Sequence, residues 1–245
     1  MFGSFQIGRA FGIPVRLHWT MAIFLPYLAL RLARAMGVES PWWGWVAAVA
    51  LFASVLLHEL GHSIIARGRG YPVSSIILTP IGGVAFLARA PRRANDEMVI
   101  AIAGPAVSLA LAIACWLGAV PLLNRGLAGP GLTTDLVGSI NMALFLFNLI
   151  PCFPMDGGRV FRAWLTRRVG RLEATRRAVK LGKFFAWAFG LYGLYTAHWM
   201  LVVIAIVVHQ AAAAEYRMVQ SQEIPPIRPF NPFAGFGPPT RPARD

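Results

Sequence analysis

Charge is scarce in this sequence of 245 residues. Only 13% are Asp, Glu, Lys or Arg, where a soluble globular domain carries about a quarter. With 57% hydrophobic residues and a positive mean hydropathy, that shortage excludes an ordinary water-soluble domain. Cysteine is nearly absent. Cys115 and Cys152 form neither a C-x-x-C pair nor a bridging framework, which excludes a disulfide-stapled module. Both read as packing residues. Acidic residues number 10 against 23 Lys and Arg, for a net charge of +13. There is no nucleic-acid motif. The basic residues flank apolar segments, so they read as topology signals on membrane-facing loops.

What is present is a series of long apolar runs. About 30 Å of hydrocarbon needs about 20 such residues in a helix. Six candidate spans fit, at roughly 17–36, 43–66, 97–120, 136–150, 182–197 and 199–214. The fold class expected is an all-α polytopic membrane protein of about six transmembrane helices. Residues 19–30 followed by Ala33-Arg34-Ala35 have the outline of a signal peptide. Arg31 and Arg34 disfavour cleavage there, and the segment reads as a retained first helix. Between spans two and three, residues 71–87 are β-branched and broken by Pro80 and Gly82-Gly83. That pattern predicts a short membrane-associated β-ribbon, which must pack on protein or line a wet cavity. Residues 1–216 form the membrane domain, with a core at about 43–165. Residues 217–245 form a Pro-rich tail, expected to be extended and disordered.

Arginine places the spans in the bilayer. Arg9 and Arg16 precede span one. Arg67, Arg69, Arg89, Arg92 and Arg93 lie between spans two and three. A larger group from Arg159 to Lys183, Arg162 among them, lies between spans four and five. All fall on one side of a six-span chain, which the positive-inside rule makes cytoplasmic together with both termini. Arg31 and Arg34 fall on the other side.

Inside span two stands His58-Glu59-Leu60-Gly61-His62. On a helix this H-E-x-x-H pattern puts two imidazoles at i and i+4 on one face, where both can bind one zinc ion. The glutamate beside them can take a proton from water. A catalytic zinc site needs a third protein ligand. His18, His198 and His209 lie at or near span ends or on a late helix without a partner motif. Asp156, in Asn148-Leu149-Ile150-Pro151-Cys152-Phe153-Pro154-Met155-Asp156-Gly157-Gly158-Arg159, is the better candidate. A carboxylate at the end of an apolar span is costly without a partner. His62 precedes Arg67 by five residues, roughly 7–8 Å along a helix. Asp156 precedes Arg159 by three, so both motifs lie at similar depth near the basic face.

Through H-E-L-G-H, the Gly-rich residues 80–83, Gly104-Pro105 and the run from Asn148 to Arg159, the sequence resembles the site-2 protease family of intramembrane zinc metalloproteases. The resemblance covers most of residues 10–215. It implies one Zn²⁺ per chain, held by His58, His62 and Asp156, with Glu59 as catalytic base. It also implies that Asn148 contacts substrate or the developing oxyanion, and it places Gly82 and Gly83 at the substrate. Some members have Asn four residues after Gly104. Ser108 stands there in this chain, which weakens any polar role at that position. The chain reads as a minimal form without a PDZ domain or a cystathionine-synthase-type pair.

The function expected is hydrolysis of a peptide bond in or near the transmembrane segment of a single-span, membrane-tethered regulatory protein, in a prokaryotic plasma membrane. The substrate could add as a strand to the ribbon at residues 76–87. The alternative is a non-catalytic zinc-stabilised scaffold or a metal transporter. A scaffold has no use for Glu59, and a transporter would distribute ionisable groups through several spans.

Overall fold

The structure is a computed structural model. It describes residues 3–37, 40–80, 82–91 and 93–223. Two strands, β1 (Ser4–Ala10) and β2 (Ile13–His18), precede the first helix. They join through Phe11 and Gly12, with φ of 51° and 77°, as a two-residue type I′ hairpin loop requires. Helices α1 (Met21–Met36) and α2 (Trp42–Gly68) follow, then strands β3 (Val73–Thr79) and β4 (Gly82–Leu87). The rest is helical: α3 (Ala94–Asn124), α4 (Ala128–Asn148), α5 (Asp156–Val169), α6 (Arg171–Tyr195) and α7 (Trp199–Glu223).

The expected ribbon is present as half of a larger sheet. Four strands pair in the order β1-β2-β3-β4. Both hairpins are antiparallel. β2 runs parallel to β3, with Val15 opposite Ile76, Arg16 opposite Ile77 and Leu17 opposite Leu78. Residues 17 and 18, assigned above to the first span, therefore belong to β2. The N-terminal hairpin escapes sequence reading because β1 is exposed along most of its length and carries no two-residue alternation. Ile13, Val15, Ile76 and Leu78 bury against Leu60 of α2, which lies between the two histidines of the motif. Each such side chain contributes about 1.5–3 kcal/mol by leaving water. The sheet is thus fixed onto the one turn of α2 that carries the H-E-x-x-H motif.

Among the described residues, four helices, α2, α3, α4 and α7, are long and apolar enough to cross a membrane. They match the second, third, fourth and sixth spans read from the sequence. Helix α1 has 16 residues, about 24 Å of helix, and the first half of α6 is charged from Arg171 to Lys183. Leu117, Trp187 and Leu191 are each more than 60% exposed. An apolar exterior of that kind suits lipid. Between helices, small residues permit close approach, as they do inside membranes. A methyl group at Gly44 would stand 2.7 Å from Ala33 Cβ of α1, and one at Gly61 would stand 2.9 Å from the Ala103 carbonyl oxygen of α3. Helix α7 continues through Arg217 to Glu223. Residues 224–245, most of the tail read as disordered, lie outside the described residues.

Candidate metal centre

Helical spacing brings the His58 and His62 rings edge to face, with centroids 4.8 Å apart. Their Nε2 atoms are 3.2 Å apart. Asp156 Oδ2 lies 3.2 Å from the first and 3.1 Å from the second. All three side chains are buried. A tetrahedral zinc with bonds of about 2.0–2.1 Å has ligand–ligand edges of roughly 3.3 Å. The triangle is that size. Among the described residues, this is the cluster of His, Cys, Asp and Glu that could hold a metal.

The other ring nitrogens are held from α3. His62 Nδ1 lies 2.7 Å from the Ile100 carbonyl oxygen. A carbonyl only accepts, so Nδ1–H donates and Nε2 keeps its lone pair for the metal. His58 Nδ1 lies 2.8 Å from Ser108 Oγ, which can accept in the same way. The expectation of a weakened polar role at Ser108 is therefore corrected: this fully buried hydroxyl orients the ring of a candidate ligand. The result is two nitrogen lone pairs and a carboxylate oxygen converging in a buried space. Such an arrangement suits a shared positive charge, which a divalent cation would supply. Gly104 leaves the room for both rings. A methyl group there would stand 2.7 Å from His58 Nε2 and nearer still to His62 Nε2.

Asp156 arrives by a different route. It is the first residue of α5, at the favourable end of the helix dipole. The preceding turn folds tightly onto Gly157 and Gly158, where a Cβ at Gly158 would lie 2.6 Å from the Cys152 carbonyl oxygen. Cys152 faces away from the cluster. Its Sγ contacts Met155 Sδ at 3.8 Å, and burial pushes its thiol up to about 11, so it stays protonated at neutral pH. The remaining histidines stand apart from the triangle. His18 bonds Thr20, His198 contacts the Thr196 carbonyl oxygen, and His209 meets the Trp187 ring.

Glu59 stands outside the triangle, half-buried. Its Oε2 accepts the Ala85 N–H of β4 at 3.1 Å. Because β4 is an edge strand, this bond sets the carboxylate beside the sheet's free edge. Gly83 lies against the same side chain, where a Cβ would come within 2.6 Å of Glu59 Cγ. Gly82 has φ of 140° and open space about its α-carbon. Asn148 ends α4 half-buried, its Nδ2 donating to the Leu144 carbonyl at 3.0 Å. Its hydrogen bond runs within its own helix and not to the cluster.

A helical membrane protein with a buried His–His–Asp cluster and a glutamate outside it, held at a sheet edge, is the class that fold and site define. Residues 46–129 and 128–189 match the model of Peptidase family M50, more than half of the sequence, and the chain belongs to that family. It is 36% identical over 221 residues to a zinc metalloprotease of Methanocaldococcus jannaschii, covering 90% of this chain and 63% of that protein. It is 33% identical over 244 residues to Rip3 of Mycobacterium tuberculosis, covering 91% and 61%. The chain thus spans less than two thirds of these relatives. The solved structure of the site-2 protease from M. jannaschii superposes with a TM-score of 0.64 at 33% identity, covering 87% of this chain and 95% of that one.

Proposed function

We propose that this protein is an intramembrane zinc metalloendopeptidase. It hydrolyses a peptide bond in or near the transmembrane segment of a single-span, membrane-tethered regulatory protein. The observation that carries the reading is the buried triangle of His58, His62 and Asp156 on zinc-sized edges, with Glu59 next to it on the same helix and bonded to the Ala85 N–H of edge strand β4. Two imidazoles and one carboxylate leave a tetrahedral ion one open position, as catalytic sites do. Bound there, zinc supplies Lewis acidity that brings a water's pKa toward neutrality and polarises a carbonyl.

The chain's own residues do the rest. Glu59 takes the proton from the attacking water and passes it to the leaving amine. The free edge of β4 receives the unwound substrate as an added strand, satisfying backbone groups freed from its helix. Gly82 and Gly83, opening β4, let the substrate backbone come close. Asn148 exchanges its bond to Leu144 for one to the substrate or the oxyanion. In the full topology α1 and α6 complete six spans. The arginine-rich loops and both termini face the cytoplasm of a prokaryotic cell. A non-catalytic scaffold is disfavoured by Glu59, which the triangle does not use.

Co-expression with candidate single-span membrane proteins tests the reading. The parent should yield a shortened fragment, and Glu59→Gln should yield none while still binding zinc, because Glu59 is not a ligand. Identical fragments from both would remove Glu59 from the role of base.

A further inference from the structure

Arg162 was read from sequence as one more topology charge, but it is only 4% exposed. It lies on α5, less than two turns beyond Asp156. Its Nε donates to Glu97 Oε1 of α3 at 2.8 Å, and its Nη2 donates to the same oxygen. Its Nη1 donates to Glu215 Oε1 of α7 at 2.6 Å. The guanidinium carbon lies 4.7 Å from the centre of the Phe153 ring. Phe153 is fully buried in the turn that leads into Asp156, and its carbonyl oxygen lies so close to Gly182 of α6 that a Cβ there would be 2.5 Å away. One planar group thus fastens the turn before the third ligand, the helix that carries it, and two other helices.

Stability alone is a weak reason to keep such a cluster. Buried ion pairs are often replaceable by apolar groups of similar volume without loss of stability. What the cluster fixes is a distance. Glu97 stands one helical turn before Ile100, whose carbonyl orients His62. The histidines are therefore referenced to α3, while Asp156 is referenced to α5. The Arg162–Glu97 pair joins these two frames. We propose that Arg162 is a positioning residue for the metal centre: by locking α5 and the Phe153 turn to α3, it sets Asp156 Oδ2 within bonding reach of the ion that His58 and His62 hold. The inference rests on the zinc-site reading above.

The test uses the full chain in lipid nanodiscs. Its readouts are the zinc dissociation constant by chelator competition, the visible absorption of the Co²⁺-substituted protein, and the unfolding midpoint of the metal-free protein. The double variant Glu97→Gln/Arg162→Met removes the buried Arg162–Glu97 pair together and leaves Glu215, whose side chain is 22% exposed, to take its place in water. It should keep the metal-free midpoint, bind zinc about tenfold or more weakly, and show a shifted Co²⁺ band. Arg162→Lys keeps the charge but loses the fork and the flat face. It should weaken zinc severalfold, between parent and double variant, by the same loss of orientation. Arg177→Gln, at an exposed arginine of α6, should bind zinc as the parent does. A folded double variant with parental zinc affinity and Co²⁺ spectrum overturns the proposal. If that variant does not fold, parental zinc affinity in Arg162→Lys overturns it. A parent that binds no zinc overturns the zinc-site reading and this inference with it; a parent that binds zinc as the variants do overturns the inference alone.

Discussion

At the scale of single residues, Gly104 presents a hydrogen to the two imidazoles where any other residue presents a carbon. The constraint is steric, since Gly104 lies inside α3 in ordinary helical backbone. Alanine is the better helix former by about 1 kcal/mol, so Gly104→Ala should leave the helix intact or slightly firmer. Its methyl group would nonetheless stand within 2.7 Å of His58 Nε2 and closer to His62 Nε2. One ring must turn away. Zinc affinity should fall on the order of a hundredfold while the metal-free unfolding midpoint holds. Chelator competition measures the first and a thermal scan the second. Stoichiometric zinc at parental affinity in Gly104→Ala would mean that the rings have slack this packing does not show. His58, Glu59 and His62 were legible in sequence because their relation is local, one turn of one helix. Asp156 was legible because a carboxylate among prolines and glycines at a span end needs a partner. Ser108, Gly104 as a steric gap, and Arg162 were not, because their roles lie across helix interfaces between residues far apart in the chain.

At the scale of elements, β4 works as the wall against which the proposed base leans. The Ala85 N–H holds one carboxylate oxygen of Glu59, and Gly83 brings the strand's backbone close to its stem. Gly83→Ala would place a carbon 2.6 Å from Glu59 Cγ and 3.1 Å from Val55 Cγ1. The flexible glutamate gives way sooner than the strand. A displacement of about 1 Å in a reacting group lowers turnover by about 10²-fold. Gly83→Ala should therefore bind zinc normally and cleave slowly, with the loss in kcat. Metal analysis beside a cleavage time course separates the effects. Lost zinc would place Gly83 in the metal centre, and a rise in KM alone would place it in substrate binding only. The ribbon at residues 76–87 was readable from its β-branched residues and glycines. The strands before it were not. β1 is exposed on both faces, and a hairpin loop with Phe at positive φ carries none of the usual Asn-Gly or Asp-Gly signal. α5 was missed for a related reason. Its charged face resembles a loop, while Asp156, Gly157, Gly158, Arg162 and Ala163 on its buried face leave Leu165 as the large apolar side chain there.

At the scale of the whole molecule, the long apolar runs made four spans legible, and the basic segments on either side of α3 predict which way they run. The sheet with the segments that flank it and the α5–α6 corner carry most of the arginines, whereas the turn between α3 and α4 carries Arg125 as its basic residue. Helix α3 has 31 residues, about 46 Å, more than the roughly 30 Å of a hydrocarbon core. Crossing the bilayer along that length would open its two ends on opposite sides. Ser74 on β3 is exposed before α3 begins, and Arg125 is exposed just after it ends. In a background with Cys115 and Cys152 replaced by alanine, Ser74→Cys should react with a membrane-impermeant maleimide only from the cytoplasmic side. Arg125→Cys should react only from the outside. The pair carries its own control, since one crossing separates the two sites. Both reacting from one side would deny that α3 spans the membrane. Both reacting from the reversed sides would invert the positive-inside assignment. The metal triangle follows the same geometry. His62 lies six residues before the end of α2, on the side where the sheet packs, and Asp156 begins the helix that leads into the arginine-rich corner. Water and an unwound substrate would then reach Glu59 from the side that carries Ser74, and a reversed labelling pattern would move that entrance to the opposite face of the membrane.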